Sequence, residues 1–375
     1  MDQPRFIVAG SFIDGSGAKV RRNVFLAVKD LIITAIGSAA DLLRNDWAAV
    51  NDLSHCTIVP ALVDCSVSLS HSPAVDRKVR LAMEDAGIAK KAVLAAQHIR
   101  YCHSHGVLGV ADSDDSIGLV KHIQREMPER NIIDIRSSGA DFIKIDYSGN
   151  IDNGVAPDAR INREDLLRIL QQRGEKKAVV VANGQERVQE ALQAGCDAIE
   201  QGYGMGEDNL RKMAERDVLW IPSVFMAKNG MLGAGSGGDV TCRFSMRYVA
   251  PGKPDPGAEA FWKKMLAGQL AQLRLARKLG VKTAVGTGAG SVGILHGESM
   301  VEEMKLFIKA GWPLEETIQC ASDNGARFFG MENLGTLAVG RKATFLVARG
   351  SVQQLPRKLA YLQAIYVDGA PSRNF

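Results

Sequence analysis

The sequence has no run of five or more like charges, and its 46 basic and 42 acidic side chains leave a net charge of only +4. It therefore lacks the electrostatic footprint of a nucleic-acid-binding protein or of one that docks on an anionic membrane. Its longest apolar stretches, such as residues 58–63, stop far short of the roughly eighteen residues needed to cross a bilayer. Met1-Asp-Gln-Pro-Arg-Phe6 has neither the basic nor the apolar region of a secretory leader, so a cytoplasmic protein is expected. Cys-x-x-Cys is also missing. Cys56, Cys65, Cys102, Cys196, Cys242 and Cys320 are widely spaced and read as reduced, buried thiols rather than a disulfide framework. With 375 residues, 46% hydrophobic and 23% charged, the chain is long and apolar enough to build two or three globular domains.

Two patterns are present. The first sixty residues read as short strands joined by turns: Arg5-Phe-Ile-Val-Ala9, the turn Asp14-Gly-Ser-Gly17, Val24-Phe-Leu-Ala-Val28 and Leu31-Ile-Ile-Thr-Ala-Ile36. The chain end repeats that character in Ala343-Thr-Phe-Leu-Val-Ala348 and Ala364-Ile-Tyr-Val-Asp-Gly369. Neither end has enough strands to bury a face alone, so residues 1–58 and 332–375 are expected to form one composite β-sandwich. Between them, β-branched runs alternate with amphipathic stretches of helix length, the pattern of βα units on a parallel sheet. Residues 59–331 match the size of a (β/α)8 barrel, typically about 250 residues. The expected strands are 58–63, 107–111, 132–136, 142–146, 178–182, 198–201, 218–222 and 283–286. The interval 137–141 is too short for a crossover helix, which leaves a truncated βα unit or a strand misplaced. Residues 229–238, Asn-Gly-Met-Leu-Gly-Ala-Gly-Ser-Gly-Gly, follow the seventh strand as a lid candidate or a flexible insertion.

Several segments carry a family resemblance. Ile58-Val-Pro-Ala-Leu-Val-Asp64 with Cys65-Ser-Val-Ser68 resembles the first barrel strand of the amidohydrolase superfamily. Gly139-Ala-Asp-Phe-Ile-Lys144-Ile is similar to its lysine strand, notably in the prolidase-like and imidazolonepropionase-like branches. Val179-Val-Val-Ala-Asn183, Gly195-Cys-Asp-Ala-Ile-Glu-Gln201, Ala284-Val-Gly-Thr-Gly288 and Gly335-Thr-Leu-Ala-Val-Gly340 match later landmarks in order. The resemblance implies a hydrolase of C–N bonds, in non-peptide or dipeptide amides, with a metal centre at the C-terminal mouth of the barrel. Its ligands would be two strand-1 histidines, a lysine, histidines on strands 5 and 6, and a strand-8 aspartate. Those places hold Ser66, Ser68, Lys144, Asn183, Gln201 and Gly288, so only the lysine is kept.

Transition-metal sites need three or four imidazole, thiolate or carboxylate donors, and neutral hydroxyls and amides do not replace them. The expectation is therefore a site with no metal and no cofactor, in which any catalysis is metal-independent. Strand alternation directs Ser66 with Ser68, and Lys144 with Asp146, into the barrel. Together with Asn183, Gln201 and Gly288 they are the candidate substrate-binding residues. Lys144, His296 and Asp112 are the catalytic candidates. Lys144 is either a desolvated amine able to act as base or nucleophile, or half of an ion pair with Asp146 or Asp112. His296 follows strand 8 at the expected pocket rim, while Asp112, Asp114 and Asp115 follow strand 2 on the functional face. Cys65 should face away from the lumen, and His103 and His105 should sit at the opposite, stability-giving end. Residues 286–293 are glycine-rich and read as a phosphate cradle or a tight turn. Three roles stay open: metal-free enzyme, non-catalytic small-ligand-binding or regulatory protein, and structural subunit. The expected partners are a small molecule in the barrel mouth and other subunits, in a homo-oligomer or with an active relative.

Overall fold

The computed structural model describes residues 4–42, 50–74, 76–113, 118–130, 132–148, 161–231, 239–241, 247–249 and 256–375. Strands β1 (Arg5–Phe12), β2 (Arg21–Lys29) and β3 (Ile32–Ser38) form an antiparallel meander. The β2–β3 turn places Asp30 and Leu31 at φ +50° and +71°, the sign at both central positions that a tight hairpin needs to match strand twist. Strand β4 (Val50–Pro60) then pairs parallel to β1.

The next strands belong to a parallel core: β5 (Leu62–Val67), β6 (Val107–Asp112), β7 (Asp134–Ser137), β8 (Ile143–Asp146), β9 (Ala178–Ala182), β10 (Ala198–Gln201) and β11 (Leu219–Ile221). They form two ladders, β5-β6-β7 and β8-β9-β10-β11, linked by a single parallel bridge from Ser138 to Phe142. Thus the expected first barrel strand, 58–63, is divided. Its first half completes β4 in the terminal sheet, and the core strand starts at Leu62. The expected eighth strand, 283–286, is an extended segment with no ladder of its own. It bonds to β11 through Ala284 N to Trp220 O (2.8 Å) and to β5 through Cys65 N to Val285 O (2.9 Å). Both strands flanking residues 138–142 are real, and no helix joins them. They are staggered end to end so that only Ser138 and Phe142 lie abreast, which removes the need for a full crossover.

A short hairpin, β12 (Asp239–Thr241) with β13 (Arg247–Val249), follows β11. Near the chain end, β14 (Phe345–Arg349), β15 (Leu362–Val367) and β16 (Ala370–Pro371) join the first meander, giving one sheet of order β16-β15-β14-β4-β1-β2-β3. This corrects the expected sandwich. β4 pairs with β1 on one edge and with β14 on the other, so the two chain ends add strands to a single sheet instead of building two facing ones. Strand β14 is apolar from Phe345 to Ala348 because it faces two cores. Phe345 and Val347 pack with Ile7, Ala9 and Leu26, while Leu346 and Ala348 pack into the main core.

Among the described residues the α-helices are α1 (Arg77–Glu84), α2 (Ile88–Ser104), α3 (Leu119–Glu126), α4 (Arg163–Gln172), α5 (Gln185–Gln193), α6 (Glu207–Glu215), α7 (Val224–Met231), α8 (Pro256–Leu279), α9 (Ser299–Lys309), α10 (Leu314–Cys320) and α11 (Asp323–Phe328). Among the described residues, no helix is long and apolar enough to cross a membrane. The lid candidate 229–238 lies, beyond Met231, outside the described residues, as do Asp114, Asp115 and Cys242.

Candidate functional site

Alternate residues of the parallel strands share an inward face. Val63, Cys65, Ala111, Val179, Ala198, Leu219, Ile221 and Ala284 form one buried cluster, plugged by Ala326 and Phe329 of the chain around α11. Cys65 therefore faces inward, against expectation. The pairing register of β5 slips between Asp64 and Val67, which breaks strict alternation and lets both Cys65 and Ser66 turn to the same side. Cys65 lies deep in the apolar layer, where burial raises its thiol well above the ordinary range.

Above that layer the strand ends bring polar groups together. Lys144 of β8 points its ammonium at Glu200 of β10, with Nζ 2.8 Å from Oε1 and 2.7 Å from Oε2. The same ammonium donates to Ser113 Oγ at 2.7 Å and to Ser66 Oγ at 3.4 Å. Ser66 Oγ in turn donates to Glu200 Oε1 at 2.8 Å. The ion pair expected of Lys144 exists, and the carboxylate that faces its ammonium is that of Glu200. Sequence reasoning passed over Glu200 because the strand was phased on Gln201. Alternation then puts Glu200 on the outer face, but Gln201 has φ +67° at the strand end, so both side chains reach the mouth.

These groups line a cavity of about 240 Å³ together with Ser68, His71, Asp146, Gln201, Met226 and Gly288. Of the expected binding residues, Ser66, Ser68, Asp146, Gln201 and Gly288 meet there, joined by Lys144. Asn183 stands behind Gln201, donating from Nδ2 to its Oε1 at 2.7 Å while its own Oδ1 accepts from Tyr203 N at 2.9 Å. His71, Ser113 and Met226 had no sequence signal, since each comes from a loop or helix start beyond the strand ends. A larger cleft, about 670 Å³ beside β7 and the terminal sheet, carries scattered surface charges rather than a convergent set.

Two expected catalytic residues are placed elsewhere. His296 is 2% exposed and stacks on His98 with ring centroids 3.7 Å apart. It shares a hydrogen bond with Ser68 O at 3.1 Å, and His98 shares one with Leu69 O at 2.9 Å. Burial drives both imidazoles down in pKa, His98 to about 4. The reason His296 misses the rim is this stack, which draws it beneath the loop after β5. Asp112 is fully buried, and its Oδ1 accepts from Leu69 N at 2.9 Å. Both residues thus shape the loop that presents Ser68 and His71. Asp64 does similar work on the other side, accepting from Thr287 Oγ1 at 2.6 Å and from the amides of Thr287 and Ser66. Burial, opposed by those hydrogen bonds and assisted by the nearby charge of Glu200, pushes its carboxyl up to about 6.

The glycine-rich residues 286–293 are a turn rather than a phosphate cradle. Gly288 N donates to Ser66 O, Gly290 N to Ile294 O and Gly293 N to Pro73 O, which spends those amides inside the protein. His103 lies buried, sharing a hydrogen bond with Ser372 Oγ at 3.0 Å, at the end of α2 away from the cavity.

The donor set does not suit a transition metal. The six places of the implied ligands hold two serine hydroxyls, two side-chain amides, a glycine and an ammonium paired with Glu200, and neutral oxygens do not replace imidazole or carboxylate donors. Met226 takes the space beside that glycine, since a Cβ at Gly288 would stand 3.1 Å from its Sδ. Among the described residues, no three His, Cys, Asp or Glu side chains are grouped to hold an ion.

Residues 70–374 match the model of the amidohydrolase family. No curated protein matches the sequence closely enough to count as a relative. Among solved structures, the chain is similar to an Xaa-Pro dipeptidase with bound methionine, at 20% identity and TM-score 0.76 over 98% of this chain and 99% of that one. It is similar also to A. niger ochratoxinase, at 17% identity and TM-score 0.75 over 99% and 96% of the two chains. Molinate hydrolase gives 14% identity and TM-score 0.76 over 99% and 95%. At these identities the likeness is one of fold.

Proposed function

The chain belongs to the amidohydrolase family, and from that premise we propose that it acts on a small C–N compound without a resident metal ion. The two ladders and the extended 283–286 segment are read as one (β/α)8 barrel with a truncated third unit, its mouth at the Lys144 cavity. The terminal sheet is read as the second domain, built from residues 1–58 and 332–375. The observation that carries the metal-free reading is the Lys144–Glu200 ion pair. A cation that the protein itself supplies sits among the hydroxyls and already pairs with Glu200, so one more positive ion beside it would meet repulsion. The cavity of about 240 Å³ falls below the 300–1,000 Å³ usual for drug-sized ligands. A dipeptide or smaller amide is the substrate class proposed, which agrees with a fold shared by an Xaa-Pro dipeptidase.

A second reading, a barrel that holds a small ligand without turning it over, is favoured by Lys144. Its ammonium is engaged by Glu200, Ser113 and Ser66, so it is not poised as a free amine. Elemental analysis tests the metal-free reading directly. Purified protein should carry far less than one Zn, Fe or Mn per chain, and a stoichiometric ion that survives dialysis against chelator would overturn it. A panel of dipeptides and N-acyl amino acids, assayed by amine release and by calorimetry, separates turnover from binding alone.

A further inference from the structure

Ser66, Glu200 and Lys144 come from three different strands, β5, β10 and β8, and meet at the floor of one cavity. The serine hydroxyl donates to the carboxylate at 2.8 Å and stands 3.4 Å from the ammonium. The carboxylate is 3% exposed, so this contact is made largely out of water. A hydroxyl bonded to a buried base, with a fixed positive charge at its side, is the arrangement by which a weak nucleophile is activated. An ion pair kept for stability alone has no need of that hydroxyl, because Ser113 already supplies Lys144 with a neutral acceptor at 2.7 Å.

Resting on the metal-independent reading, we propose that Ser66 is the nucleophile of an acyl-transfer reaction on small amides, with Glu200 as its general base. Ser66 Oγ attacks the amide carbonyl carbon, forming a C–O bond while its proton passes to Glu200 Oε1. The tetrahedral adduct collapses, the C–N bond breaks, and the protonated Glu200 returns the proton to the leaving nitrogen. Water then attacks the serine ester with Glu200 again as base, releasing the acid and restoring the hydroxyl. Lys144 offsets the negative charge that gathers on Oγ as the proton leaves.

The test uses phenylmethanesulfonyl fluoride on full-length, chelator-treated protein, with the labelled serine located by peptide mass spectrometry and metal content measured on the same sample. Sulfonylation forms an O–S bond at the activated serine and releases fluoride, so it reads the nucleophile without a known substrate. Labelling is expected at Ser66, lost in Ser66→Ala and retained in Ser351→Ala, an exposed serine outside the cavity. It should slow by about 10²-fold in Glu200→Gln, the lower range for loss of a general base. If Glu200→Gln does not fold, Glu200→Asp decides: it keeps the carboxylate but draws it back from Ser66, and labelling should slow there too. Absence of a Ser66 adduct, an adduct on Ser113 instead, or a rate indifferent to the Glu200 substitutions would overturn the assignment. Such a failure in a metal-free sample touches Ser66 alone, whereas a stoichiometric metal in that sample defeats the metal-independent reading.

Discussion

Replacing Lys144 by Ala removes one half of a pair whose side chains are only 15% and 5% exposed. The carboxylate of Glu200 would stay where it is, bonded to Ser66 but without its ammonium partner. A buried charge stripped of its partner costs about 3–5 kcal/mol, against about 0–1 kcal/mol for a solvated surface pair. Lys144→Ala should therefore lose about 3–5 kcal/mol in a guanidinium titration. Arg277→Ala provides the contrast, because its pair with Glu316 has side chains 39% and 33% exposed and should cost under about 1 kcal/mol. The double variant Lys144→Met, Glu200→Leu removes both charges, and most of the loss should be recovered, since apolar replacements of a buried pair are often neutral. With the single variants Lys144→Met and Glu200→Leu measured alongside, the cycle should show a coupling of several kcal/mol between the two sites. A loss below about 1 kcal/mol in Lys144→Ala, or a double variant as weak as the sum of the singles, would show that the pair is solvated and that the argument from burial fails.

Glu303 of α9 accepts from the amides of Val224 and Phe225 at the start of α7, and burial pushes its carboxyl from 4.5 up to about 8. Its folded-state value lies above its unfolded one, so its contribution to stability is complete below pH 4.5 and lost as pH rises through about 8. Wild type should lose stability relative to Glu303→Gln across that window in urea titrations; a constant difference would contradict the assignment. Gly288 has φ +73° and the thioether of Met226 beside it, so Gly288→Ala should cost about 1–2 kcal/mol from the backbone alone. A neutral result by thermal denaturation would show that the turn relaxes freely. Removing residues 336–375 takes away β14, β15 and β16 and uncovers the edge of β4, and the truncated chain should be insoluble on expression. A soluble truncation with cooperative unfolding would mean that the first meander is stable alone.

Much of the architecture was legible because it rests on local chemistry. Apolar runs of five residues between helix-length amphipathic stretches located β6 and β9, and the shortage of residues between 136 and 142 marked the missing helix. The pairing of the two chain ends followed from each having too few strands to close a face. The sequence also showed which residue types stand at the mouth, so the unsuitability of Ser66, Ser68, Gln201 and Gly288 as metal ligands needed no coordinates. What it could not show was the partner of Lys144. Period-two alternation holds only while backbone dihedrals stay extended, and the register slip in β5 and the positive φ of Gln201 both break it at the strand ends. Glu200 and Lys144 are 56 residues apart in sequence, and Met226 reaches the cavity from the start of a helix. His296, placed at the rim by its position after the eighth segment, is pulled below the loop by a stack with His98 of α2. Residue types, element periods and the short link were decided by the sequence alone. The contacts at the site were decided by tertiary structure, because they join separate strands, the loops after them and one helix start, whose convergence no local pattern encodes.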